Sequence, residues 1–263
     1  MHYRIQEVAT MLGISPQTLR FYEKYGILPN ARTGDGRYRQ YANDGVDLLM
    51  TLRKWRNCGF TVAQTADLLM DSDYDQLATR LDEQAHALLR QAEMSRRISG
   101  VMQESSACLR QMEEKAGCFE VRESPAAYAL CMQENMEQRL STQGMERIGI
   151  LTDWLPLLRW GTWFASPEAL PSAGFIGSAD TASFLGITDW TDIIPWVPMR
   201  CMYALWQWPS VSGALQRSVS EALERLGAEG YRLTGQSCVI TMGNHRLDGS
   251  TVSYGEIWFP IQA

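Results

Sequence analysis

Residues Asp75 to Lys115 run for about forty positions without a proline and are dense in Leu, Ala, Gln, Glu and Arg, all good helix formers. At about 1.5 Å per residue they predict a rod roughly 60 Å long. Such a rod outgrows the cover that one small domain offers. Steps of three and four residues link Leu81, Ala85, Leu88, Ala92, Ser95, Ser99, Met102, Ser106 and Leu109 into a seam, and Ile98, Val101, Cys108 and Met112 flank its later half. Small residues in that seam favour close approach of a partner helix. The expectation is self-association through this rod, against the plainer alternative of a helix packed on its own domain.

The rod divides the chain into a basic head and an acidic body. Residues 1 to 60 carry nine Lys and Arg against five acids, a net +4, so the formal charge of −6 leaves −10 for the remainder. Only the head is built to meet a polyanion. The six cysteines (Cys58, Cys108, Cys118, Cys131, Cys201, Cys238) make no CxxC pair and no regular framework, which is the usage of reduced thiols in the cytoplasm. No apolar run approaches the roughly eighteen residues of a membrane span. With 263 residues there is room for two modest domains, and the expected division is 1–72, 73–116 and 117–263.

In the head, Ile5, Val8, Ala9 and Leu12 follow helical spacing, and Gly13 stops the helix where a left-handed conformation is cheap. Ser15 before Pro16 is an N-cap with proline at the first helical position, so a second helix follows at once. Two short helices on so tight a turn make a helix-turn-helix, whose second member presents Gln17, Thr18 and Arg20 near its N-terminus. After Gly26 comes ILPNARTGDGRYRQY, where Gly34, Asp35 and Gly36 turn between short extended pieces. That predicts a wing bearing Arg37, Tyr38, Arg39 and Tyr41, cations alternating with aromatics along a nucleic-acid backbone. Helices are expected from Asp44 to Asn57 and from Thr61 to about Met70.

This order resembles the MerR family of transcriptional regulators. LRFYEKYGILP, the arginine-rich wing ending RYRQY, then RKWRNCGFTVAQTADLL and the long helix carry the resemblance over residues 3 to 115. It implies a homodimer whose long helices pair as an antiparallel coiled coil, and winged heads that bind a near-palindromic promoter site and distort its spacer for RNA polymerase. The DNA-contacting set it implies is Ser15, Gln17, Thr18, Arg20, Tyr22, Arg37, Tyr38, Arg39 and Tyr41. Arg37 departs from the pattern, since many members carry glycine there.

The body holds eight of the nine tryptophans, and no lysine occurs from Gly117 onward. Strands are expected at Phe119 to Val121, Ala127 to Met132, Met199 to Trp208, Ser237 to Met242 and Glu256 to Ile261, with helices near Arg139 to Leu158 and Ser212 to Leu226. SPAAYALCMQ (Ser124 to Gln133) and PMRCMYALWQ (Pro198 to Gln207) read as related openings of two halves. YALWQW, SEALERLGAEGYRLTG and the closing GEIWFPI resemble the GyrI-like effector-binding domain. The resemblance implies two βαββ repeats around an apolar pocket, with Glu256 as the acidic residue on the last strand. The fold class expected overall is α+β: a winged helix-turn-helix, a long dimerisation helix and an α+β effector domain.

The expected effector set is Tyr128, Trp163, Trp206, Trp208, Tyr254, Glu256 and Trp258, with Trp206 and Trp208 as the principal walls and the Tyr254 hydroxyl as partner of Glu256. Eight indoles around one carboxylate suit lipophilic organic cations. No metal, no cofactor and no catalysis are expected. Three other readings compete: a metal or thiol sensor through Cys108 and Cys118, a small-molecule hydrolase using Glu256 with Tyr254 or His245, and a repressor that senses nothing.

Overall fold

The computed structural model describes residues 2–28, 40–70, 72–133, 142–166, 169–190 and 193–262, with backbone alone at 44 and 142–146. They form two compact units, Met1–Met94 and Ser95–Ala263. The expected wing tip lies outside the described residues, and Arg37, Tyr38 and Arg39 with it.

In the first unit β1 (His2–Arg4) runs into α1 (Ile5–Leu12), which ends at Gly13 with φ 61°, a left-handed position cheap only for glycine. The Ser15 hydroxyl accepts the Thr18 N–H at 3.1 Å and opens α2 (Pro16–Lys24). β2 (Gln40–Ala42) pairs antiparallel with β1, setting Tyr41 opposite Tyr3. α3 (Asn43–Asn57) and α4 (Val62–Met70) follow. Thr61 and Gln64 exchange side-chain and backbone bonds of 3.2 and 2.8 Å at the start of α4. Asp73 and Gln76 do the same, at 2.8 and 3.3 Å, at the start of α5 (Tyr74–Lys115). Val8, Leu19, Leu49 and Leu52 fill the core that holds these short helices together.

α5 contributes to both units, and of its described side chains only Met112 is buried. Leu88, Met102 and Leu109 of the expected seam are 43, 64 and 41 % exposed.

The second unit is one eight-stranded sheet with the order β3-β8-β10-β9-β5-β6-β4-β7. Its strands are β3 (Glu120–Glu123), β4 (Ala127–Gln133), β5 (Arg159–Phe164), β6 (Ser172–Ser178), β7 (Ile193–Trp196), β8 (Arg200–Pro209), β9 (Ser237–Leu247) and β10 (Ser250–Pro260). With α6 (Thr142–Thr152) and α8 (Ala214–Ala228) they make two βαββ repeats, β4-α6-β5-β6 and β8-α8-β9-β10. In each repeat the third strand lies between the first two, and β9 pairs with β5 to join the halves. α7 (Ala179–Leu185) is inserted after the first repeat.

Three strands of the second unit exceed the sequence expectation. β5 occupies RWGTWF, just after a segment expected to be helical to Leu158; Pro156 cannot continue a helix, and α6 has already ended at Thr152. β6 is SAGFIGS, whose glycines hide its strand character, and β7 carries Pro195 at the sheet edge, where a missing donor is tolerated. β10 also begins at Ser250, six residues before the expected start.

The two faces of the sheet are covered differently. On one, α8 packs Val219, Ala222 and Leu226 against Met202, Ala204, Trp206, Trp208, Ile257 and Phe259. α6 and α7 cover Leu130 and Phe175. On the other face, Met112 of α5 joins Ala127, Ala129, Trp163, Cys201, Tyr203, Cys238 and Trp258. Arg97 pairs with Asp180, and Arg159 reaches Glu104 at 3.0 Å, so charged groups also fasten the later half of α5 there. No helix among the described residues is long and apolar enough to cross a membrane.

Candidate DNA-contacting surface and effector site

On α2 the apolar stripe turns inward through Leu19 and Tyr22, leaving Gln17, Arg20, Phe21 and Lys24 exposed. Ser15 and Thr18 are tied to one another, hydroxyl to hydroxyl at 2.9 Å, as part of the helix cap. Ser15 remains exposed. Tyr22 and Tyr41, expected among the DNA contacts, are instead core residues, 4 and 2 % exposed. Tyr41 donates its hydroxyl to Glu23 Oε1 at 2.7 Å, which satisfies its polar tip inside the fold. Their contribution is to hold α2 and β2 in place. The sequence reading missed Phe21 and Tyr25, exposed by 39 and 56 % with ring centroids 4.3 Å apart. The signal was available, because an aromatic pair at i and i+4 lies off the inward stripe.

Strand register decides which of the expected effector residues share a face. Side chains of paired residues point to the same face of a sheet. β10 pairs with β8 so that Glu256 lies opposite Leu205 and Trp258 opposite Tyr203. β9 sets Ile240 beside Glu256 and Cys238 beside Trp258. β5 continues those rows with Gly161 and Trp163. Glu256, Trp258, Tyr203, Cys238 and Trp163 therefore share one face, the face that carries Met112 and Cys108 of α5. Trp206 and Trp208 are one residue out of phase and lie under α8 on the opposite face. Tyr128, which pairs with Gly177, is on that opposite face too, packed with the α6 and α7 cluster. The expected walls thus divide: Trp163, Tyr254, Glu256 and Trp258 are brought together, and Tyr128, Trp206 and Trp208 are not.

Glu256 is half-buried, and the hydroxyl that meets it belongs to Tyr203, at a long 3.4 Å. Tyr254 is engaged elsewhere. A Cβ added at Gly243 would lie 2.6 Å from its hydroxyl, and its ring meets His245 edge-on at 5.6 Å. The Tyr203 ring packs on Trp258 at 4.6 Å, and the Arg122 guanidinium lies 4.0 Å above its centroid. Burial pushes the Tyr203 phenol well above the ordinary tyrosine range, and the negative charge of Glu256 pushes it further. Burial and then Glu256 raise the Cys108 and Cys238 thiols in the same way. All three groups stay protonated beside the carboxylate. Trp163 on this face also walls a cavity of about 220 Å³ with Ala129, Leu170, Ile194 and Trp196.

Cys118 is exposed, whereas Cys108 is half-buried beside Glu256. Among the described residues, no three His, Cys, Asp or Glu side chains are grouped to hold a metal ion.

The family model for MerR helix-turn-helix regulatory proteins matches residues 3–71. The mercuric resistance operon regulatory protein of Bacillus cereus is 31 % identical over 98 residues, which are 37 % of this chain and 74 % of that protein. Among solved structures, the cryo-EM structure of the EcmrR–DNA complex aligns over 99 % of both chains with 16 % identity and a TM-score of 0.35. The structure of SAV2435 bound to tetraphenylphosphonium aligns over 55 % of this chain and 94 % of that one, with 13 % identity and a TM-score of 0.35. A TM-score of 0.35 is too low to carry function from either structure to this chain. The head, with its capped α1–α2 turn and outward Gln17, Arg20 and Lys24, agrees with the sequence match, and the chain belongs to the MerR family of helix-turn-helix regulatory proteins.

Proposed function

We propose that this regulator works as a homodimer on promoter DNA and changes transcription by RNA polymerase when a lipophilic organic cation occupies the Glu256 face. Gln17, Arg20 and Lys24 of α2 contact the operator, together with Arg37, Tyr38 and Arg39 of the wing expected from the sequence. The exposed Leu88, Met102 and Leu109 seam of α5 pairs the two copies. The protein acts in the cytoplasm by binding rather than by turnover.

One observation carries the effector reading. A half-buried carboxylate stands on an apolar, aromatic face, with a 3.4 Å contact from Tyr203 as its described hydrogen bond. Burying an ionised carboxylate without strong partners is costly, and a cation supplies one. Each well-placed ring face of Trp258 or Trp163 adds about 0.5 to 2 kcal/mol of cation–π attraction, without demanding directional bonds. Differently shaped cations are therefore accepted. Because Cys108 and Met112 reach the same face from α5, a ligand there bears on the helix that joins the two compact units. Transcription responds only as far as the ligand prefers the DNA-distorting arrangement.

The test compares a bulky aromatic cation with its neutral isostere by calorimetry, in wild type and Glu256→Gln, with promoter transcription in vitro as the second readout. The cation should bind more tightly than the isostere in wild type, and Glu256→Gln should erase the difference. Equal affinities in wild type would remove charge from the recognition and sink the proposal.

A further inference from the structure

We propose that the effector carries a hydrogen-bond acceptor as well as a positive charge, and that the Trp258 indole N–H is the donor that receives it. This rests on the Glu256 reading above and names the chemistry of the ligand more narrowly. Trp258 is 7 % exposed, and its Nε1 atom is buried with no hydrogen-bond partner among the described residues. Buried donors in folded proteins are nearly always satisfied, so an orphan on a binding face points to a partner that arrives with the ligand. The contrast within the same unit is direct: the Trp196 indole N–H donates to Ser124 Oγ at 3.2 Å.

The neighbours of Trp258 do not relieve it. Tyr203, opposite it on β8, offers its ring at 4.6 Å and spends its hydroxyl on Glu256. Cys238, opposite it on β9, holds its thiol protonated. Glu256 and Trp258 are alternate residues of one strand, about 6.5 to 7 Å apart along it. A ligand with its charge at Glu256 and an ester, amide or ether oxygen a few bonds away fits both groups. A hydrocarbon cation fits only the first.

Three matched probes on the full-length protein test this by calorimetry. Benzoylcholine has the charge and the acceptor, trimethyl(4-phenylbutyl)ammonium has the charge alone, and 3,3-dimethylbutyl benzoate has the acceptor alone. In wild type benzoylcholine should bind most tightly. Trp258→Phe should weaken benzoylcholine and the neutral ester about fivefold, the worth of one ordinary hydrogen bond, and change the hydrocarbon cation less than twofold. Trp258→His, which restores a ring N–H, should recover part of the loss. In wild type one indole N–H proton resonance should also move downfield with benzoylcholine and stay in place with the hydrocarbon cation, a readout that needs no variant to fold. Equal losses for all three probes in Trp258→Phe, or no acceptor-dependent indole shift in wild type, would overturn the proposal. Loss of the charge preference with the acceptor effect intact would instead overturn the role of Glu256.

Discussion

Gly255 stands between Tyr254 and Glu256 on β10, where the β9–β10 register slips: Tyr254 pairs with Gly243 and Gly255 with Thr241, so Met242 is the extra residue of a bulge. A Cβ added at Gly255 would lie 2.1 Å from the Ile240 carbonyl oxygen, 3.0 Å from its carbon and 3.1 Å from Thr241 Cα. A carbon and an oxygen in ordinary contact sit about 3.3 Å apart, so the overlap with the oxygen is about 1.2 Å. The obstacle is the backbone of a paired strand, with no rotamer to change. Gly255→Ala must open the ladder, losing about two hydrogen bonds worth about 1 kcal/mol each and adding about 1 to 3 kcal/mol of overpacking strain. The total is about 3 to 5 kcal/mol. Gly243→Ala is the control. Its Cβ would meet the Tyr254 hydroxyl at 2.6 Å, Cζ at 3.0 Å and Cε1 at 3.3 Å, all on a half-buried side chain rather than on a paired backbone, and a smaller cost of about 1 to 2 kcal/mol is expected. Urea unfolding followed by tryptophan fluorescence reads this well, because eight of the nine tryptophans lie in the second unit. Ligand affinity should fall with stability in Gly255→Ala, since the displaced strand carries Glu256. A Gly255→Ala midpoint within about 0.5 kcal/mol of wild type, or equal costs for the two substitutions, would refute the reasoning.

Arg20→Ala should cost about 1 to 3 kcal/mol of operator affinity and relax sequence preference at one position, while Arg39→Ala should weaken all sequences alike and lower the salt slope by about one. Salt titrations of binding to operator and scrambled DNA separate the two. Leu88→Glu puts a charge into the α5 seam and should yield monomers in sedimentation, with operator affinity falling as the heads are uncoupled; a monomeric wild type that still binds a palindrome would end that assignment. The Tyr203 phenol is raised above its unfolded value of about 10. Its contribution to stability is therefore complete below about pH 10 and is lost as the pH climbs above it. Tyrosinate absorbance of wild type minus Tyr203→Phe should stay flat through about pH 10, and an ordinary titration in that difference would contradict the burial described.

Local signals were legible to within a residue. The Gly13 stop, the Ser15–Pro16 start, and the long helix expected from Asp75 and found from Tyr74 depend on neighbours in sequence, as capping and propensity do. The two βαββ openings were also visible, at Ala127–Gln133 and Arg200–Pro209. What stayed hidden was non-local. β6 was not among the expected strands, and Gly174 and Gly177 give it no strand signal, yet a Cβ at Gly174 would stand 1.9 Å from the Leu130 carbonyl oxygen, so it is the close approach of β4 that calls for glycine. No window along the chain contains that contact.

Register divided the expected effector residues between the two faces of the sheet. Alternation within each strand keeps Glu256 with Trp258, and Trp206 with Trp208. The error came in joining the two sets, because which residues of β8 share a face with Glu256 depends on whether the pairing partner is odd or even in number. Glu256 opposite Leu205 brings Tyr203 into the site and sends both tryptophans under α8; a slip of one residue would have reversed this. The change of hydroxyl partner from Tyr254 to Tyr203 has another cause, the β9 bulge. Tyr254 does share the Glu256 face, but the bulge at Met242 shifts the phase of β9 by one residue so that His245 and Gly243 meet its ring, and the β8 neighbour is left to reach the carboxylate. A residue chosen from composition alone, an aromatic near an acid, has an even chance of facing it, and register decides.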